Sequence, residues 1–108
     1  MNQSNYTLDR IVETIVPMVD PSQIILFGSH ARGDYTDKSD IDLLILKKGL
    51  KNKRETTQNL YMALCKNNID VAVDLLALDY DRYHEISDTI GLVYKTIKKE
   101  GKIIYDNL

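Results

Sequence analysis

A small α/β (α+β) domain, with helices packed on a mixed β-sheet, is predicted from three observations. Short apolar runs of strand length alternate with amphipathic helical stretches. Polar turn segments separate them, and no repeat or low-complexity linker divides the chain. The length of 108 residues allows one hydrophobic core but not two, so residues 1–108 form a single domain. The expected order is α-β-β-α-β-α-β.

Thr7 is placed to cap a first helix whose apolar stripe is Leu8, Ile11, Val12, Ile15 and Val16, with Pro17 ending or kinking it. Pro21-Ser22 turns the chain into a buried strand, Gln23 to Phe27. A polar loop from Gly28 to Ser39 precedes a second strand from Asp40 to Leu46, closed by Lys47-Lys48-Gly49. A second helix is read from about Arg54 to Lys66, with Leu60, Ala63 and Leu64 on one side and a break at Asn67-Asn68. The third strand runs from Asp70 to Leu78, and Asp79 to Glu85 fits either helix or loop. Ser87 is expected to cap a final helix with stripe Ile86, Ile90, Val93 and Ile97, with Gly101 as its C′ glycine. Lys102 to Tyr105 reads as a terminal strand.

Apolar residues make up 44% and charged residues 28%, which excludes a disordered chain. A net charge of −2 argues against a dedicated nucleic-acid binder, and the lysine clusters read as solvated surface. The one cysteine, Cys65, permits no internal disulfide and is expected to be a small buried hydrophobe. No apolar stretch reaches the ~18 residues of a membrane span and no signal-peptide core opens the sequence, so a cytoplasmic location is expected.

The chemistry concentrates at Gly28-Ser29 and Asp40-Ile41-Asp42. In a strand, residues i and i+2 share a face, so Asp40 and Asp42 would stand ~6–7 Å apart. At an effective dielectric near 20 they would repel by about 2.5 kcal/mol. A divalent cation between them removes that cost, and Mg2+ suits carboxylates that share it with water and phosphate. Asp74 interrupts another apolar run, where an ionised carboxylate is expensive without a partner or a metal. If the two strands are neighbours, three carboxylates converge. Gly28 lets the backbone turn tightly, and a helix opening at Ser29 would offer amides and a hydroxyl to phosphate. Arg32 could add donors to the same oxygens. Gly-Ser with Asp-x-Asp at one fixed offset should arise by chance on the order of once in a thousand chains of this length.

Gly28-Ser29, the ten-residue gap and Asp40-x-Asp42 resemble the signature of the DNA polymerase β-like nucleotidyltransferase superfamily. The wording Ala31-Arg32-Gly33 and Ser39-Asp40-Ile41-Asp42 is similar to its minimal branch, the MntA antitoxins paired with HepT (HEPN-domain) toxins. The resemblance implies that Asp40, Asp42 and Asp74 are catalytic and hold two Mg2+ ions, with Asp74 accepting a proton from the attacking hydroxyl. It implies that Gly28, Ser29 and Arg32 bind the phosphates of an NTP, ATP by family default. It further implies transfer of AMP to a tyrosine of a HEPN/HepT-type toxin, so that the chain acts as an antitoxin. The alternatives are a binding module that neutralises its partner by contact, or a small-molecule nucleotidyltransferase acting as a homo-oligomer. His30 reads most plainly as a surface histidine, Ser39 as a turn residue, and Tyr94 as a packing residue. His84 has no metal-ligand partner at useful spacing.

Overall fold

The computed structural model describes residues 3–87 and 92–108. The elements are α1 (Gln3–Val19), β1 (Gln23–Phe27), α2 (Ser29–Arg32), β2 (Ile41–Lys47), α3 (Lys53–Lys66), β3 (Val73–Asp79), α4 (Tyr80–Ile86), α5 (Leu92–Glu100) and β4 (Lys102–Asp106). All four expected strands form one sheet in the order β3-β2-β1-β4. β1 runs antiparallel to β2 and β4, whereas β2 and β3 are parallel. The α3 crossover supplies the long connection that a parallel pair requires.

Alternation divides the strand residues between two apolar layers. Ile24, Leu26, Ile41, Leu43, Ile45, Leu75 and Ala77 pack with Ile11 and Ile15 of α1 and with Leu60 and Leu64 of α3. On the other face, Ile25, Leu44, Leu46 and Leu78 pack with Tyr83 and Ile86 of α4 and Ile97 of α5. Asp42 and Asp74 belong to this second face, at the end of the sheet where β1 gives way to Gly28.

Several sequence expectations need correction. α1 begins before Thr7 and passes through Pro17 to Val19. Proline's fixed φ suits a helix, and in the last turn its missing N–H costs one bond. The helix stops at Asp20, whose φ is 51° and whose N–H donates to the Val16 carbonyl at 2.9 Å. Two helices join the expected order: the single turn α2, and α4, which settles the Asp79–Glu85 ambiguity. Asp79 caps α4 by accepting from Arg82 N–H at 3.0 Å. Ser87 follows α4 as its C-cap, while Ile90 lies outside the described residues. Gly101 is absent from the left-handed glycines, and its role is close packing: a Cβ there would meet the Ile97 carbonyl at 2.4 Å and Ile25 at 2.6 Å. Cys65 is exposed, not buried, because it lies on the side of α3 away from Leu60 and Leu64. Asp74 is exposed too, since β3 is an edge strand.

Candidate active site

Asp42 lies in β2, one residue beyond buried Ile41, whose N–H donates to the Ala72 carbonyl at 2.9 Å. The parallel ladder sets Asp42 opposite Asp74, so two carboxyl groups are paired across neighbouring strands. Asp40 stands just before β2, outside the regular strand, and is exposed. Strand alternation therefore does not set Asp40 beside Asp42 as expected, because Asp40 precedes the regular strand, although its charge still acts on Asp42. Burial, then the charges of Asp74 and Asp40 and a hydrogen bond with Asp74, raises the Asp42 carboxyl above its ordinary value. Among the described residues, none of these three carboxylates is in an ion pair.

Gly28 joins the carboxylates to the rest of the site. Its φ is +74°, a region that side chains rarely enter, and a Cβ built on it would lie 2.2 Å from Asp42 Oδ2. The Gly28 backbone thus passes directly against the Asp42 carboxylate. Its carbonyl accepts from the Ala31 and Arg32 amides, both at 3.1 Å, and this closes the turn that Ser29 opens. Ala31 anchors that turn by being buried in the first apolar layer. Ser29 is half-buried at its start.

Arg32 points elsewhere. Its Nε donates to Asp34 at 3.2 Å and its Nη1 to Glu100 at 3.5 Å, and all three side chains are partly or largely exposed. The hydrogen bond with Asp34 is the main reason its guanidinium pKa is raised. Such exposed pairs are weak and open readily.

The loop between Ser29 and Asp40 is more ordered than its polar composition conveys. Ser39 makes the expected turn: its Oγ accepts from Thr36 N–H at 2.9 Å and its own N–H donates to Thr36 O at 3.1 Å. His30 is half-buried, stacks on Tyr35 at 4.4 Å and reaches the Ser39 carbonyl at 3.3 Å. His30 is thus not the plain surface histidine expected, and a stack between residues five apart in a loop has no periodic signature in the sequence. Tyr94 packs against the second apolar layer, edge-on to Tyr83, and the His84 ring leans on Tyr80 and Tyr83.

The donor set suits a hard divalent ion: oxygen-only, anionic, open to solvent and, among the described residues, free of ion pairs. It is not a closed cage. Among the described residues, no group of three or more His, Cys, Asp or Glu side chains is gathered tightly enough to hold a metal by itself. That arrangement fits an ion that completes its shell with water and substrate phosphates.

Residues 7–104 match the nucleotidyltransferase domain model. The chain belongs to the nucleotidyltransferase domain family. Two Methanocaldococcus jannaschii proteins named as candidate protein adenylyltransferases are similar to it. One is 46% identical over 41 residues, covering 38% of this chain and 41% of that protein. The other is 75% identical over 24 residues, covering 22% of this chain and 24% of that protein. The matches thus span less than half the length of these relatives. A candidate nucleotidyltransferase from Sulfolobus solfataricus aligns in structure with a TM-score of 0.60 and 28% identity, covering 94% of this chain and 79% of the other. A toxin–antitoxin structure with AMP-PNP gives 0.55 at 24% identity, covering 94% and 73%. A tri-AMPylated Shewanella oneidensis HEPN toxin in complex with MNT antitoxin gives 0.56 at 23% identity, covering 95% and 72%. The last two likenesses establish the shared fold.

Proposed function

We propose that this nucleotidyltransferase domain transfers AMP from ATP to a hydroxyl of a partner protein, most simply a tyrosine of a HEPN/HepT-type toxin, and so acts as an antitoxin. The observation that carries the proposal is the Asp42–Asp74 pair. The ladder sets two carboxylates side by side at an open end of the sheet, with Asp40 adjacent and, among the described residues, no ion pair to neutralise them. Similarity to a protein named as an adenylyltransferase, to a toxin–antitoxin pair with AMP-PNP and to an antitoxin bound to a tri-AMPylated HEPN toxin supports AMP as the transferred group and a HEPN-type protein as the partner.

In this reading Asp40, Asp42 and Asp74 would hold two Mg2+ ions, which supply neutralising charge for the entering and departing oxygens. Gly28 and Ser29 cradle the terminal phosphates: the glycine backbone admits them closely, and the first amides of the following turn face them. Arg32 would join them by opening its exposed pairs with Asp34 and Glu100. The acceptor oxygen attacks the α-phosphorus and passes its proton to Asp74. The bond from that phosphorus to the β-phosphate oxygen breaks, and pyrophosphate leaves with the electron pair. Catalysis by the chain is positioning and charge.

The test uses α-32P-labelled ATP, Mg2+ and a lysate of the source organism, comparing the wild-type chain with the Asp40→Asn/Asp42→Asn double variant. A labelled protein band produced only by wild type is the expected result, and its mass identifies the acceptor. No band in either lane would favour a contact-only antitoxin or a small-molecule acceptor, and equal bands would remove the carboxylates from the chemistry.

A further inference from the structure

We infer that His30 is a positioning residue, which ties the turn carrying Ser29 to the loop carrying Asp40 and so holds Asp40 in place. The use made of Asp40 rests on the nucleotidyl-transfer reading, whereas the tie itself is geometric. Asp40 is exposed and lies outside β2, so the ladder alone does not fix it. On its C-terminal side, Ile41 is secured by the bond to the Ala72 carbonyl. On its N-terminal side, the carbonyl of Ser39 is reached by His30 Nε2 at 3.3 Å.

A carbonyl only accepts, so this contact places a proton on Nε2. The ring is oriented by its stack on Tyr35, at 4.4 Å with planes 13° apart. The Thr36–Ser39 turn closes the same loop from within. One imidazole therefore grips the loop at both Tyr35 and Ser39, and it belongs to the residue directly after Ser29. A histidine that merely packed on Tyr35 would not need to reach Ser39. Groups that orient a metal ligand matter nearly as much as the ligand itself, and their loss weakens metal binding by about 10–100-fold.

Two variants separate the parts of the grip. His30→Phe keeps an aromatic ring for Tyr35 and loses the N–H, whereas His30→Gln keeps an N–H donor and loses the ring. Mn2+ binding, followed by electron paramagnetic resonance in the presence of AMP-PNP, gives a readout independent of turnover, and thermal unfolding reports the fold. His30→Phe should weaken Mn2+ binding by about tenfold with little change in Tm, while His30→Gln recovers most of the affinity. Wild-type affinity in His30→Phe would overturn the inference. So would equal losses in both variants accompanied by a fall in Tm, or a wild-type chain that binds no Mn2+. The 32P assay reads the underlying function separately: His30-dependent Mn2+ binding without any transfer would reject AMP transfer and keep the tie.

Discussion

The two ends of the β2–β3 ladder carry opposite designs. At one end the register sets Asp42 against Asp74; at the other it sets Lys47 against Asp79. Burial and two neighbouring aspartates push the Asp42 carboxyl up. Backbone N–H groups hold the Asp79 carboxyl down, first that of Arg82 and then that of Gly49, which donates at 2.7 Å. The residue type is the same, so the difference lies in what surrounds it. Asp79 closes a turn and caps α4, and its charge is satisfied by the fold. Asp42 is left with like charge beside it and, among the described residues, no ion pair to relieve it; of its neighbours only His30 pulls the other way. That contrast marks one end as structural and the other as a place for a ligand.

The largest effect that would sharpen the contrast is on transfer. Asp42→Asn is predicted to lower AMP transfer by about 10²–10³-fold, measured with labelled ATP and a saturating acceptor. Asp79→Asn should leave transfer at the wild-type rate once the protein is folded. Gly28→Ala comes next. With φ 74° and ψ −156°, Gly28 holds a backbone conformation reserved essentially for glycine, which costs a side chain about 1–3 kcal/mol, and the new methyl group must displace the Asp42 carboxylate. Reduced stability in urea unfolding and reduced transfer should therefore appear together.

Smaller effects separate the two aspartates by pH. The folded-state pKa of Asp42 lies above its ordinary 3.8, so its ionisation opposes folding. The penalty is absent below that value, grows as pH rises through the folded pKa, and is complete at neutral pH. Asp42→Asn should then be more stable than wild type at pH 7 without divalent ions, with the gain fading toward pH 3. Asp79 has the opposite sign: its lowered pKa stabilises the fold above 3.8 and ceases to do so as pH falls through the folded value. Asp79→Asn should lose stability at pH 7 and approach wild type in acid. Melting curves across this range would break the comparison if the two variants shifted in the same direction.

Much of this was legible in the residues. Apolar runs such as Ile24 to Phe27 and Leu43 to Leu46 are strands because both faces of the central sheet are covered, and such runs need no turn chemistry to be recognised. Gly28, Asp40, Asp42 and Asp74 stood out because a carboxylate or a glycine beside an apolar strand conflicts with burial unless something else uses it. Pairing direction was not legible, since β1–β2 and β2–β3 look alike in composition yet run antiparallel and parallel. The single turn of α2 and the seven residues of α4 are too short to establish a period. The His30 contacts arise from loop closure, which depends on the folded path of residues 33–40 and leaves no spacing rule to read.

The most direct test of the central claim is the melting temperature of wild type and Asp42→Asn at neutral pH as Mg2+ is raised in the presence of AMP-PNP. Ligand binding stabilises the state that binds it, so only the chain with its carboxylates intact should gain strongly. A crossing is expected: the variant melts higher without Mg2+, and wild type melts higher at saturating Mg2+. Parallel curves, or a variant that gains as much as wild type, would contradict the assignment of Asp42 to a cation-dependent nucleotide site.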